Sequence, residues 1–221
     1  MKFRTLAALG MAMGALSACS TDTNAVWQTM RDVAPGRRDS MPANLNPNVR
    51  YLRVTVDGRS GLVALGNEDG DAKRLVEVWY GGRREVLRLQ AGRVAGTTGL
   101  PTEWRKVELP EFPRWSAIQR AGEPVRWTRT RDVMPGYRYG VREEMVLRTI
   151  PVPRKSELVE IDPQQLAWFE ERVERATGVD KLLPPARYAV DLRDDKELAV
   201  YGEQCLAVNL CFAWQRWPAQ K

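Results

Sequence analysis

The chain has 221 residues, with 34 Lys plus Arg against 28 Asp plus Glu, three cysteines and no histidine. The missing histidine excludes Ser-His-Asp and Cys-His catalytic pairs, His-bearing metal sites and a histidine pH switch, and three cysteines cannot complete a four-sulfur zinc site. Hydrophobic content of 43% and charged content of 28% are those of a globular protein, large enough to hold a core without a metal, cofactor or disulfide.

Lys2 and Arg4 open the chain, Leu6 to Leu16 carries no charge, and Leu16-Ser17-Ala18-Cys19 follows. A basic start, a short apolar run and small residues before a cut describe a secretory signal over residues 1–18. The run is too short for a membrane-spanning helix, which needs about 20 apolar residues. Leu-Ser-Ala-Cys looks like a bacterial lipobox with Cys19 at its lipidated position. That likeness implies cleavage before Cys19, a diacylglycerol on its sulfur and an acyl chain such as palmitate on its amine. Several acyl chains anchor stably where one does not. Ser20 stands where an inner-membrane retention signal usually has Asp, so the expected location is the outer membrane, periplasmic face. Losing Lys2 and Arg4 lowers the formal charge from +6 to +4. The remaining positives interleave with acids, which describes a solvated surface and gives no nucleic-acid track.

Residues 19–48 are rich in turn formers without a sustained apolar period and read as a lipidated tether, with one short helical stretch near Ala25 to Asp32. The body, residues 49–221, is β-rich. Tyr51 to Val56 alternates and meets Asp57-Gly58, a hairpin signal, after which Gly61 to Leu65 returns. Asn67-Glu68-Asp69-Gly70-Asp71 lacks the ligand spacing of a calcium loop and reads as a turn. Leu75–Tyr80, Glu85–Leu89 and Arg93–Thr97, separated by glycine turns, form a meander. A proline-broken segment, Leu100 to Pro124, is expected to lay Trp104, Phe112 and Trp115 over a sheet edge or barrel mouth.

Val125–Thr130 and Tyr137–Ile150 open a second β block, and Glu157–Ile161 is a further strand candidate. Asp162-Pro163-Gln164-Gln165 has the form of a helix start, and Leu166, Phe169 and Val173 recur at helical spacing until Gly178. The pattern predicts a helix of about fourteen residues packed on the sheet. Strands near Tyr188–Leu192 and Leu198–Tyr201 and an apolar stretch from Cys205 to Trp214 complete the chain. Roughly ten strands in successive hairpins predict a mainly β fold, an antiparallel curled sheet (half-barrel or sandwich) with one helix in the C-terminal half.

Without histidine, catalysis would rest on paired carboxylates. Glu143 and Glu144 are adjacent on a predicted strand and face opposite ways, leaving only a cross-strand partner such as Asp191. Asp191, Asp194 and Asp195 sit in a turn beside Arg193. Cys205 and Cys211 make a pairable set in an oxidising compartment. On one straight strand their Cα atoms would lie about 20 Å apart, so a disulfide requires a turn near Val208-Asn209; two buried thiols on one strand is the other reading. Trp127, Arg129, Tyr137, Arg138 and Tyr139 combine aromatic faces with guanidinium forks, side chains suited to glycan or partner contacts. Core packing with the polar tips satisfied is the reading favoured for each residue taken singly.

The run Trp127-Thr128-Arg129-Thr130-Arg131-Asp132-Val133-Met134-Pro135-Gly136-Tyr137-Arg138-Tyr139-Gly140 resembles a signature of the YjbF/GfcB family of capsule and exopolysaccharide lipoproteins. Gly92-Arg93-Val94 leading to Thr98-Gly99-Leu100, and Tyr188-Ala189-Val190-Asp191 with Tyr201-Gly202-Glu203-Gln204, are similar to two further family motifs. Ala189 stands where the family often has Trp, and Gly202 where it often has Ser. The resemblance implies an outer-membrane lipoprotein of a polysaccharide secretion system, with polysaccharide or its export machinery as partner and no established catalytic residues. The expected function is that of a non-enzymatic accessory factor in capsule or exopolysaccharide assembly or secretion. A carboxylate-dependent glycan-modifying enzyme and a half-barrel lipid or lipoprotein carrier are the alternatives.

Overall fold

The computed structural model describes residues 44–71, 74–193 and 197–219. The leader, Cys19, most of the tether with its expected helical stretch, and Asp194 and Asp195 lie outside the described residues.

Twelve strands form one antiparallel sheet: β1 (Tyr51–Val56), β2 (Arg59–Asp69), β3 (Val76–Tyr80), β4 (Val86–Gln90), β5 (Arg93–Thr98), β6 (Glu103–Glu108), β7 (Val125–Met134), β8 (Arg138–Ile150), β9 (Ala167–Ala176), β10 (Ala186–Asp191), β11 (Leu198–Ala207) and β12 (Leu210–Trp217). Each strand pairs with its neighbour in sequence, except that β12 pairs with β1 and β5 does not pair with β6. The result is an up-and-down meander nearly closed into a barrel, with its seam between β5 and β6. Across that seam the Thr97 hydroxyl accepts from the Trp104 amide at 2.9 Å.

Alternation along the strands sends Leu52, Trp79, Leu89, Phe169, Tyr188 and Trp214 inward, all but wholly buried. Burying such side chains contributes roughly 1.5–3 kcal/mol each. Residues 151–166 cross the outer face instead of forming the expected strand at Glu157–Ile161, and cover Trp168, Val200, Tyr201 and Ala213. They are held by Gln215, which bonds both the N–H and the C=O of Val159, and by the Tyr201 hydroxyl, which accepts from Glu157 N.

The fold carries a single α-helix among the described residues, but it is not where the helical spacing placed it. Residues 163–165 make one 3-10 turn, with Asp162 capping Gln164 N, and the chain then runs on as β9. Phe169, Glu171 and Val173 point inward while Trp168, Glu170 and Arg172 point outward, so the true period is two. Glu171 hid it by being a buried acid. The helix is α1 (Trp115–Ala121), inside the proline-broken segment, where Trp115 and Ile118 bury one face and Gly122 ends the run. It closes one end of the barrel, with the Trp115 ring 4.7 Å from Phe169 and 5.7 Å from Tyr188. Trp104 is a core residue on β6, and Asn67 to Asp69 extend β2 where a turn was expected.

Candidate functional site

The barrel interior holds two charged clusters among aromatic rings. In the first, Glu143 on β8 receives Arg129 Nε at 2.7 Å and Arg131 Nε and Nη2 at 3.0 and 2.7 Å, both arginines coming from β7. Strand alternation puts residues 129 and 131 on the same face, and the register sets Arg129 opposite Glu143. Both guanidinium groups also lie over the Trp104 ring, at 4.4 and 4.3 Å. The ring's negative face accommodates the positive charge that one carboxylate leaves over. Burial pushes the Glu143 carboxyl upward, but the hydrogen bond from Arg131 and the charges of Arg129 and Arg131 outweigh it and hold the group below the ordinary carboxylate range.

The second cluster joins the sequence motifs. Arg93, in the β4–β5 hairpin, donates Nε to Glu171 Oε1 at 2.5 Å. The Tyr188 hydroxyl lies 3.0 Å from Glu171 Oε2 and 3.2 Å from Gln204 Oε1. Gln204 in turn accepts from Val94 N and donates to Gly92 O, each at 3.0 Å. Four segments far apart in sequence, on β5, β9, β10 and β11, thus close one network. The Tyr188 hydroxyl is driven well above its ordinary range, first by burial and then by the Glu171 charge.

The Arg93 guanidinium sits in an aromatic cage, 3.8 Å from the Phe112 ring centre and 4.3 Å from Trp115. Its Nη2 is buried and has no hydrogen-bond partner. Arg93 lines a cavity of about 430 Å³ at the barrel end closed by α1. Arg216 Nη2 lies 2.9 Å from both Glu77 carboxylate oxygens in that wall. Glu197 caps α1 by accepting from Ser116 N and Oγ and pairs with Arg114. Burial pushes its carboxyl up, but the Ser116 bonds and Arg114 hold it below the usual range.

The five residues offered by the sequence for glycan or partner contact do not form one surface. Arg129 is fully engaged with Glu143. Trp127 packs edge-on against Phe112, with ring centres 4.8 Å apart, and its buried indole N–H has no partner. Tyr137, Arg138 and Tyr139 are exposed on the β7–β8 hairpin at the opposite end, the two tyrosines at 73% and 65%. The expected cross-strand pair of Glu143 with Asp191 does not form: Glu143 is bound by Arg129 and Arg131, and Asp191 pairs with Arg193. Arg93, Glu171 and Gln204 were missed as site residues; Gly92-Arg93-Val94 and Gln204 lay in the motifs, but nothing local marked Glu171 as inward.

Cys205 and Cys211 are bonded, paired across the β11–β12 hairpin whose turn is Val208-Asn209. Closing so short a loop contributes about 2 to 3 kcal/mol. Cys205→Ser should lower stability by that amount in urea, and reduction should raise the mass of the native protein by two hydrogens.

Gly202 sits opposite Trp214 in the β11–β12 ladder, and a Cβ there would lie 2.6 Å from the indole Nε1. The indole fills the space a serine side chain would need, which accounts for glycine at this position.

The family model described as "Group 4 capsule polysaccharide lipoprotein gfcB, YjbF" matches residues 20–178. The match ends before β10, so the disulfide hairpin lies beyond it. A solved structure, the hypothetical lipoprotein YmcC from Escherichia coli (K12), aligns at 18% identity with a TM-score of 0.56, covering 82% of this chain and 92% of that one. It shares the fold. No curated protein matches at a significant level. With a match across most of its length, the chain belongs to the YjbF family of group 4 capsule polysaccharide lipoproteins.

Proposed function

We propose that the protein is a periplasm-facing lipoprotein of the outer membrane, anchored through acylated Cys19, that acts without catalysis in capsule or exopolysaccharide assembly or secretion. Family membership over residues 20–178 carries the reading. The state of the interior acids supports the non-catalytic part. A glycan hydrolase needs one carboxylic acid kept protonated and a second carboxylate flanking the scissile bond. Glu143 is instead held ionised between two arginines, and Glu171 is bound to Arg93 and Tyr188. A lipid carrier would need a contiguous apolar cavity, whereas aromatic and aliphatic side chains fill this interior.

A strain lacking the protein should lose surface polysaccharide, and Cys19→Ser should move the chain from the membrane fraction to the soluble periplasm. Normal polysaccharide export in the deletion strain would overturn the reading.

A further inference from the structure

We propose that the tip of the β7–β8 hairpin docks a partner protein, through Tyr137, Arg138 and Tyr139, in a cleft that presents apolar walls and a carboxylate. The inference rests on the reading of the protein as a polysaccharide-export factor and names the class of partner and the surface that meets it. Residues 138–141 of β8 run past its last pairing with β9, Glu143 with Ala176, and past the bond from Thr177 N to Arg142 O. The tip therefore stands clear of the neighbouring strand. Its shape is fixed: Arg138 pairs with Val133 across the hairpin, and the Gly140 amide donates to Asp132 Oδ1 at 2.8 Å. Of the five large hydrophobic side chains exposed among the described residues, four lie at this end of the barrel. They are Tyr137, Tyr139, Leu182 on the β9–β10 loop and Val208 in the β11–β12 turn. Tyr137 holds a left-handed backbone, with φ at +52°, a conformation that strains a tyrosine and suits glycine or asparagine. Its ring is exposed and has no hydrogen bond or ring contact among the described residues, so no packing offsets the strain. Strain kept for a side chain that stands in water marks a contact made with another molecule.

The composition of the tip indicates its occupant. Tyrosine and arginine are enriched among the residues that carry protein–protein affinity, the first as a rigid ring with a polar end, the second as a fork for carboxylates. Arg138 is exposed and in no salt bridge among the described residues, whereas Arg126, Arg148, Arg172 and Arg175 on the nearby sheet surface are all paired. A carboxylate of the partner would complete it. Tyr139 shares a face of β8 with Val141 and Glu143, and Arg138 points the other way. A tip with contacts on both faces suits a cleft better than a plane. A bilayer suits it less. Clusters of basic side chains draw proteins to anionic lipid, and residues 135–140 carry a single positive charge. The chain also enters β1 at the opposite end of the barrel, beside α1, so the tip is turned away from the tether.

The test places p-benzoylphenylalanine at position 137 of the full acylated chain and irradiates cells that make the polysaccharide. The tip should give an adduct with another protein, sensitive to protease, and Arg138→Glu should lower its yield at least about tenfold. The same photoreactive residue at Arg84, exposed on the β3–β4 hairpin of the same rim, should give none. Tyr137→Asn relieves the left-handed strain and should leave the purified protein at least as stable in urea as wild type. A lower midpoint would mean that the ring packs within the molecule, and would overturn the proposal. So would no adduct, an equal adduct from position 84, or a yield unchanged by Arg138→Glu. An adduct with a second copy of this chain, with phospholipid or with protease-resistant polysaccharide would overturn it as well. If deletion abolishes export and a folded, anchored Tyr137→Asn, Tyr139→Ser double variant restores it, the docking proposal falls and the export reading stands. If the deletion strain exports normally, the export reading itself fails, and the adduct alone decides the docking surface.

Discussion

Glu143→Ala is expected to destabilise the protein by about 3–5 kcal/mol, the loss typical of breaking a buried ion pair from one side. The carboxylate is 1% exposed and is the shared partner of Arg129 and Arg131. Its removal leaves two guanidinium groups in the interior with only the Trp104 ring to face. Glu143→Gln keeps the shape and some hydrogen bonds but not the charge, and should fall between alanine and wild type. Glu144→Ala, one residue on and half exposed beside Arg175, should stay within about 0.5 kcal/mol. Urea unfolding followed by tryptophan fluorescence separates these outcomes, and a Glu143→Ala loss as small as that of Glu144→Ala would refute the account. The pH dependence has a definite sign. Because the folded Glu143 carboxyl titrates below its unfolded counterpart, near 4.3, its contribution is complete above that pH. It disappears as pH falls through the folded value. Acid should therefore weaken wild type more steeply than Glu143→Gln.

Gly202→Ser, the residue the family often carries there, is expected to cost about 1–3 kcal/mol in this chain. The cause is packing alone: the new Cβ would fall 2.6 Å from Trp214 Nε1 and 2.7 Å from Cε2, and Trp214 is wholly buried. Trp214→Leu opens space at its own cost of roughly 2–4 kcal/mol. In the double variant the two losses should add to less than their sum, since the leucine removes the clash. Strict additivity in a double-mutant cycle would show that the serine is harmful for another reason.

These two sites also show where the sequence was readable. Strands β1 to β5 and the β7–β8 hairpin followed from alternation and glycine turns because their inward residues are mostly apolar or their turns are strong, as at Asp57-Gly58. The leading fold class followed from the same signal, and a curled sheet with a single helix is what the described residues form, with the helix at Trp115–Ala121 and not in the C-terminal half. Strand β9 was misread because its middle inward residue is Glu171. With that position counted as outward, Leu166, Phe169 and Val173 fall at helical spacing. The partner that makes Glu171 tolerable, Arg93, lies 78 residues away, and no local window contains both. Arg129, Arg131 and Glu143 obey the same rule: a charged side chain belongs inside only once its counter-charge is known, and strand register supplies that. The real helix was short and lay among prolines, with only Trp115 and Ile118 to mark its buried face.

One ladder in this sheet differs from the rest. Every other pairing joins strands adjacent in sequence, but Tyr51 in β1 meets Trp217 in β12. As the chain emerges from its N-terminus, β1 to β5 and then β6 to β11 can assemble hairpin by hairpin as two separate blocks. The free edge of β1 nonetheless stays open until residues 210–217 arrive. An unpaired edge is a template for other chains, and partly assembled sheets aggregate through such edges. The last strand is therefore what joins two association-prone ribbons into one nearly closed body. A chain stopped short of Leu210 would keep eleven strands and lose the protection that the twelfth confers.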